Sequence, residues 1–256
     1  MSSYGLWLSA AGMKVNQHRQ TILANNMANM NTSGFKHDLA VVTQRRVESE
    51  SSSNQMGLAH PVLNDLAGGV NVKPTHQNFG QGGIEATGRP LDVAIEGDGF
   101  FSVSDGEMTR YTRNGEFTLN TQGELVLSAG NGRWRVLDRD NAPIQIDRAA
   151  GEIKLSPDGT IRQNLNPVAV IGLVSTDDLQ SLRKVGENLF QAADDKLMAP
   201  IKGRMVPEAR EASNFDMMLG LSSMIEGTRA YQLNATMLQL QDQSIGRAIN
   251  TVGRVT

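Results

Sequence analysis

A seven-residue repeat of apolar positions runs through residues 214–253, with one acidic interruption. The first series of this repeat is Met217, Met224, Tyr231, Leu238, Ile245 and Val252, and the second series, four places later, is Leu221, Thr228, Ala235, Asp242 and Ile249. Such spacing is typical of the a and d positions of a coiled coil, so it predicts one helix, roughly 60 Å long if unbroken. The segment Ser213-Asn214-Phe215-Asp216 favours a helix start, because short polar side chains cap free amides and an acid suits the positive helix end. We expect the interface positions of this helix to be Met217, Leu221, Met224, Tyr231, Leu238, Ile245 and Val252.

Three glycines, Gly220, Gly227 and Gly246, lie within the same predicted helix. Each disfavours an isolated helix by about 1 kcal/mol relative to alanine. A seam residue that is buried against a partner returns about 1.5–3 kcal/mol, before ordering entropy is subtracted. A partner therefore decides whether the helix forms, and both an intramolecular helix pair and a segment that becomes ordered in an assembly fit the pattern.

The N-terminal segment, residues 4–30, shows a second helical stripe of apolar positions. Leu8, Val15 and Ile22 keep the same seven-residue step, so we expect the two terminal helices to pair as a coiled coil. The stripe then turns polar, and its amides can form interhelical hydrogen bonds that fix register. These amides belong to Asn25, Asn26 and Asn29, after which the turn residues 31–34 end the helix.

The central part of the chain has the pattern of short strands separated by Gly, Pro, Asn and Asp. The dipeptide Asn114-Gly115, between two β-prone runs, predicts a two-residue hairpin turn. Many short strands at this spacing predict an all-β sandwich or distorted barrel. The polar stretch 48–66 fits an exposed loop that orders on contact, or a plain linker.

The predicted fold class is therefore α+β, with the terminal helices paired around a central all-β domain. The predicted divisions are an N-terminal helix at 1–34, an extended or loop segment at 35–68, a β-rich domain at 69–200, a linker at 201–213 and a C-terminal helix at 214–256.

Charge and composition narrow the function classes. The chain has 256 residues, with 24 basic and 27 acidic side chains and a net charge of −3, so no basic patch indicates nucleic acid or an anionic membrane surface. It has no cysteine, which excludes disulfides and Cys-ligated zinc. Neither a cleaved secretory signal nor a membrane span is expected from its apolar runs.

Catalytic templates each fail at a definite point. The four histidines lie far apart in sequence, and there is no P-loop, no G-x-S-x-G and no G-x-G-x-x-G that opens a helix. Asp138-Arg139-Asp140-Asn141 begins like a calcium loop, but Pro143 stands where an EF-hand has glycine. We therefore expect no enzymatic activity, no cofactor and no metal site.

Four motifs, which together span nearly the whole chain, resemble those of one family. They are Leu23-Ala24-Asn25-Asn26-Met27-Ala28-Asn29 running to Thr32-Ser33-Gly34-Phe35-Lys36, then residues 88–101 (GRPLDVAIEGDGFF), residues 111–117 (YTRNGEF), and Glu211-Ala212-Ser213-Asn214 running into 225–231. The chain resembles the flagellar axial proteins, and among them the basal-body rod proteins of the FlgF and FlgG type. The signature residues are Thr32, Gly34, Phe35, Lys36, Asp92, Gly97, Gly99, Phe100, Phe101, Arg113, Gly115, Ser213 and Asn214.

The resemblance implies a structural subunit of the flagellar rod, with the paired terminal helices in an inner layer and the β domain in an outer layer. The implied partners are copies of itself, other rod and hook proteins, the surrounding basal-body rings and the flagellar type III export apparatus. The implied location is the periplasmic basal body, reached without a cleaved signal, and the proximal-rod FlgF type is favoured over the distal-rod FlgG type. The alternative is a secreted β-domain binding module that a terminal coiled coil oligomerises.

Overall fold

The computed structural model describes residues 2–44, 69–148, 150–164, 166–192, 199–201 and 203–252. Described residues fall into two compact units. The helical unit draws on the ranges 1–27, 38–76 and 216–256, and the β unit on the ranges 28–37 and 77–215. The predicted loop at 48–66 lies outside the described residues.

Two long helices dominate the helical unit: α1 (Ser2–Ala28) and α2 (Met217–Val252). The 36 residues of α2 correspond to about 54 Å of helix. Its start is capped by Asp216, whose Oδ1 accepts hydrogen bonds from the amides of Met218 at 2.8 Å and Leu219 at 3.1 Å. The packing of the two terminal helices against each other is confirmed, since residues of α2 lie against α1 from Gly5 to Gln20. Their pairing as a coiled coil stays a prediction.

The strands are short. They are β1 (Asp38–Leu39), β2 (Val42–Gln44), β3 (Val70–Val72), β4 (His76–Gln77), β5 (Ile84–Ala86), β6 (Val93–Glu96), β7 (Phe100–Ser104), β8 (Thr109–Thr112), β9 (Phe117–Leu119), β10 (Leu125–Leu127), β11 (Arg135–Val136), β12 (Ile153–Leu155), β13 (Thr160–Gln163), β14 (Asn166–Val170), β15 (Leu173–Ser175), β16 (Arg183–Lys184), β17 (Phe190–Gln191), β18 (Ala199–Pro200), β19 (Arg204–Pro207) and β20 (Ala209–Glu211). Among the described residues, Leu179–Ser181 form a 3-10 helix.

The β unit contains one large antiparallel sheet and several smaller sheets. The large sheet has the order β16-β17-β8-β7-β11-β10-β9, and β15 joins β7 and β18 beside this path. Strands β12, β13 and β14 form a separate meander, while β19 pairs with β6 and β20 pairs with β5. The β-rich prediction is confirmed, but the described strands do not close into a barrel.

Two apolar clusters form the core of the β unit. The larger contains Phe101, Phe117 and Trp134 together with aliphatic side chains of most of the sheets. The smaller contains Phe100, Tyr111, Leu182, Phe190 and Ala192. Because successive strand residues point to opposite faces, the adjacent pair Phe100-Phe101 contributes one ring to each cluster.

The predicted Asn114-Gly115 hairpin is wrong. Strand β8 pairs with β7 and β17, and β9 pairs with β10, so the two strands that flank this dipeptide do not pair with each other. A type I′ turn needs positive φ at both central residues, and neither Asn114 nor Gly115 has it. Gly115 instead lies against strand β6, where its carbonyl accepts the amide of Val93 at 3.0 Å.

Candidate assembly site

The segment after α1 forms a tight loop, which we call the signature loop (residues 29–37). It lies in the β unit. The amide of Thr32 donates to the carbonyl of Asn29 at 3.1 Å, and the amide of Phe35 donates to the carbonyl of Thr32 at 3.2 Å. Gly34 has φ of +66°, and its amide donates to the carbonyl of Glu211 at 2.7 Å. The loop is therefore fastened to β20.

A buried ionic cluster lies beneath this loop, and it consists of Lys36, Arg113 and Glu211. Lys36 Nζ donates to Glu211 Oε1 at 2.6 Å, and Arg113 Nη1 lies 3.5 Å from Glu211 Oε2. The side chains of Lys36 and Glu211 are 1% and 0% exposed. Charges this deeply buried cost several kcal/mol each to remove from water, so their mutual pairing is essential.

Main-chain groups complete the coordination of the ionic cluster. Lys36 Nζ also donates to the carbonyl of Gly80 at 2.8 Å, and Arg113 Nη1 donates to the carbonyl of Gly97 at 2.8 Å. Glu211 Oε1 accepts the amide of Gly82 at 3.0 Å. The cluster thus joins the signature loop, the segment after β8, the end of β20 and the two glycine-containing turns at 80–82 and 97.

Burial dominates the electrostatics of the two cations. It lowers the pKa of Lys36 below its ordinary value, against the opposing pull of the Glu211 carboxylate. Burial likewise lowers the pKa of Arg113, again opposed by Glu211. One carboxylate serves two cations, so the cluster depends on Glu211 more than on either partner. The guanidinium carbon of Arg113 also lies 5.2 Å from the centroid of the Phe100 ring.

Further polar contacts hold the signature loop on both sides. Ser33 Oγ donates to Glu116 Oε1 at 2.7 Å, and Asn188 Nδ2 donates to the carbonyl of Ser33 at 2.8 Å. Phe35 is buried, and Lys184 Nζ lies 3.9 Å from the centroid of its ring. The loop is therefore specified by contacts to residues far away in sequence.

Asn214 forms a second link between distant parts of the chain. Its Oδ1 accepts the amide of His37 at 2.9 Å, and its Nδ2 donates to the carbonyls of Asn78 at 2.7 Å and Gly80 at 2.9 Å. Ser213 Oγ accepts the amide of Phe215 at 3.3 Å. Asn214 is therefore a bridge in the β unit, and Asp216 rather than Asn214 caps α2.

The remaining signature residues shape the turns around the cluster. A Cβ on Gly115 would lie 1.7 Å from the carbonyl oxygen of Val93, so only glycine allows this approach. Gly97 and Gly99 have φ of +92° and +130°, in the region that favours glycine. Asp92 is buried, with an ion pair to Arg89 Nε at 3.5 Å.

Four residues that hold the signature loop are absent from the predicted site: Glu211, Ser33, Glu116 and Asn188. The first three lie within the family motifs, whereas Asn188 lies outside them. A lysine among the apolar and turn residues of the signature loop was the available signal, because a buried lysine requires a carboxylate nearby. Ser33 and Asn188 gave no such signal, since polar residues in turns are common.

In the helical unit, Val15 and Ile22 are buried and Leu8 is half-buried. Met224, Tyr231, Leu238 and Ile245 are half-buried on α2. Met217 and Leu221 are exposed, and the side chain of Val252 lies outside the described residues. The face of α2 that meets α1 continues three positions after the first series, at Gly227, Asn234 and Gln241, rather than four positions after it.

The three asparagines at the end of α1 have different environments. Asn26 is buried, and its side chain makes two hydrogen bonds to the backbone of Asp38: Nδ2 donates to the carbonyl at 2.8 Å, and Oδ1 accepts the amide at 2.9 Å. It therefore binds a strand rather than α2, which corrects the expectation of an interhelical bond. Asn29 Oδ1 accepts from Thr32 Oγ1 at 3.3 Å, and Asn25 is exposed.

Two further observations concern other kinds of site. Within the described part of the chain, no three His, Asp or Glu side chains are grouped so as to hold a metal ion. Neither α1 nor α2, as far as they are described, contains a segment that is long and apolar enough to cross a membrane.

The three residues of the ionic cluster lie in three segments of the chain, each of which matches a model of a known protein family. A family model described as "Flagella basal body rod protein" matches residues 9–36, which include Lys36. A model described as "Flagellar hook protein FlgE/F/G D1 domain" matches residues 94–163, which include Arg113. A third, "Flagellar basal body rod FlgEFG protein C-terminal", matches residues 207–251, which include Glu211.

Full-length relatives agree with these matches. The flagellar basal-body rod protein FlgF of Caulobacter vibrioides is 35% identical over 236 residues, which cover 91% of each chain. FlgG of the same organism is 32% identical over 93% of this chain and 95% of the relative. FlgG of Borreliella burgdorferi is 30% identical over 96% of this chain and 97% of the relative. The resemblance found in the motifs is confirmed, and the chain belongs to the flagellar basal-body rod protein family.

Proposed function

We propose that this chain is a structural subunit of the bacterial flagellar rod, which packs with copies of itself and with other rod and hook proteins and carries out no chemistry. Family membership supports the role. The observation that carries it is an apolar strip on α2 that is exposed in the described part of the chain.

We call this strip the outer face of α2. It consists of Leu219, Leu233, Met237 and Leu240, which are between 51% and 68% exposed. At 100° per residue these positions lie within about 60° of one another on the helix and about 80–160° around it from Leu238 and Ile245. Glu226 lies at the same angle, between Leu219 and Leu233. Large apolar side chains in such a row mark an interaction surface.

Burial of the outer face would add a substantial driving force for association. A fully buried Leu or Met side chain contributes about 1.5–3 kcal/mol relative to an exposed one, before ordering costs are subtracted. Met217, Leu221 and Ile249 are also exposed on α2, and we assign them to contacts with neighbouring copies. Paired helices that present such faces would form a coiled-coil layer, and a non-closing contact repeated along an axis gives a helical tube.

The proposal extends to the FlgF type. The identity to FlgF of Caulobacter vibrioides is 35% and that to FlgG of the same organism is 32%, which favours FlgF. A place in the periplasmic part of the basal body, inside its rings, and delivery by the flagellar type III export apparatus belong to the same proposal, and family membership favours both.

Replacement of Leu233 by Asp is expected to leave the monomer as stable as the wild type and to stop its incorporation into rods. Leu233 is 67% exposed, so a charge there is solvated in the monomer. In an assembly the same charge would be buried without a partner, at a cost that exceeds the gain from the apolar contact. Thermal unfolding of the purified protein and recovery of the variant in isolated basal bodies are the two measurements.

The matched control for this variant is Gln232→Asp. Gln232 is the adjacent residue and is also exposed, but it lies 100° around the helix from Leu233. The control should assemble normally. Normal rods with Leu233→Asp, or equal failure of both variants, would contradict the role of the outer face.

A further inference from the structure

Facing residues of α1 and α2 have residue numbers with a nearly constant sum. A Cβ built on Gly5 would lie 2.7 Å from Gln241 Nε2, and one on Gly12 would lie 3.0 Å from Asn234 Oδ1. At the third level, Gln20 Cγ lies 3.7 Å from the Cβ position of Gly227. The residue numbers of the three pairs sum to 246, 246 and 247, which shows that the helices are antiparallel and in one constant register.

At each level a polar amide side chain lies over a glycine of the other helix. Gln241 and Asn234 are supplied by α2 and meet glycines of α1, whereas Gln20 is supplied by α1 and meets a glycine of α2. The third level has an added bond, since Gln20 Nε2 donates to Thr228 Oγ1 at 3.3 Å. The helix that supplies the amide therefore changes from α2 at the first two levels to α1 at the third.

These contacts are poorly suited to provide stability. Gln241 Oε1 is buried without a hydrogen-bond partner, which is costly. Asn234 Nδ2 donates to the carbonyl of Ala230 in its own helix at 2.9 Å, so it makes no hydrogen bond to α1 through that atom. Polar residues in a helix interface typically reduce stability and specify register.

A shift by one heptad breaks at least one level of the pattern in either direction. With a sum of 239, Gly5 would face Asn234, but Gly12 would face Gly227, which leaves a gap where a side chain now lies. With a sum of 253, Gly12 would face Gln241, but Asn234 would face Arg19 instead of a glycine. The apolar positions do not discriminate in this way, because Leu8, Val15 and Ile22 recur every seven residues and fit every shift.

We propose that Gly5, Gly12 and Gln20 of α1, with Gln241, Asn234 and Gly227 of α2, form a register code that selects the antiparallel alignment of the two helices. The heptad leucine, valine and isoleucine side chains provide the attraction, and the amide-over-glycine pairs choose among the possible alignments. The code concerns the chain itself and does not depend on assembly into a rod.

Disulfide trapping in the full-length monomer tests the proposal. The chain has no cysteine, so introduced pairs report only on themselves. Leu8 and Leu238 have the sum 246 and each lies between two contact residues of its helix, so Leu8→Cys with Leu238→Cys reports the native register. Leu8→Cys with Tyr231→Cys has the sum 239 and reports a shift by one heptad.

Gly12→Asn is the decisive substitution, since its Cβ would meet the Asn234 amide at 3.0 Å. We expect it to slow native cross-linking about tenfold. Adding Asn234→Gly should restore the rate, because the third level already has an amide of α1 over a glycine of α2. Gly246→Asn is the control: it makes the same chemical change on a helix at a site with no atom within 4 Å, and cross-linking should be unaffected.

The proposal is overturned if Gly12→Asn cross-links as fast as Gly246→Asn, or if the double variant is no faster than Gly12→Asn alone. Failure of the double variant to restore cross-linking would mean that Gly12 acts only through close packing. Since the measurement is made on the monomer, it can fail while the assembly experiment succeeds.

Discussion

Replacement of Glu211 by alanine is expected to lower the free energy of unfolding by about 3–5 kcal/mol, because removing one partner of a buried pair leaves an uncompensated charge. Here two cations lose their carboxylate at once, since Lys36 and Arg113 both pair with it. The amide of Gly82 also loses its acceptor. Urea unfolding, followed by the fluorescence of Trp7 and the buried Trp134, measures the change.

The control is Glu85→Ala, which breaks the exposed ion pair between Glu85 and Arg210. An exposed pair contributes at most about 1 kcal/mol, so this variant should be nearly neutral. A double variant tests the same cause. Adding Lys36→Met to Glu211→Ala should recover part of the lost free energy of unfolding, because it removes one of the two unpaired buried cations. Equal effects of the two alanine variants would show that the ionic cluster is not a critical contact.

The same variant has a predictable pH dependence. Burial already lowers the pKa of Lys36 below 10.5, and Glu211 opposes that shift, so its removal should lower the pKa further. Between the folded and unfolded pKa values the unfolded state binds more protons, and stability therefore rises with pH. The loss in free energy of unfolding that Glu211→Ala causes should thus be smaller near pH 10 than at about pH 7. In the double variant with Lys36→Met, this loss should depend much less on pH.

The helical unit shows how far periodicity carries a prediction. The apolar seven-residue series predicted both helices, which the structure contains, because local spacing alone determines which residues share a face. Val15 and Ile22 are buried and Tyr231 and Leu238 half-buried, and their place in the interface stays a prediction. The second series was predicted four residues after the first, from Leu221 to Ile249, because this spacing follows the a and d positions of a heptad. The structure uses Gly227, Asn234 and Gln241 three residues on, and such residues contribute nothing to an apolar pattern.

The ionic cluster was beyond this kind of reasoning for a different reason. Lys36 and Glu211 are 175 positions apart, and no local pattern relates them. The motifs drew attention to Lys36, Arg113 and Gly115 only through family resemblance, with no indication of which side chains meet. The Asn114-Gly115 hairpin failed in the same way, because tertiary contacts of Gly115 with strand β6 override the turn preference of the dipeptide.

Replacement of Gly34 by alanine is expected to destabilise the protein far more than replacement of Gly88. The two glycines have nearly the same backbone conformation, with φ of +66° and +69°. Alanine in that conformation costs about 1–2 kcal/mol at either site. At Gly88 an added Cβ meets no atom within 4 Å, whereas at Gly34 it would lie 2.4 Å from the carbonyl carbon of Arg113.

That contact involves backbone, so it cannot be relieved by a side-chain rotation. Either the signature loop or the segment after β8 must move, and the 2.7 Å bond from the Gly34 amide to the Glu211 carbonyl lies directly in the affected region. We expect Gly34→Ala to cost at least about 2 kcal/mol more than Gly88→Ala in urea unfolding. Comparable losses for the two variants would mean that the loop relaxes without disturbing the ionic cluster, and that glycine is needed at position 34 for its backbone conformation alone.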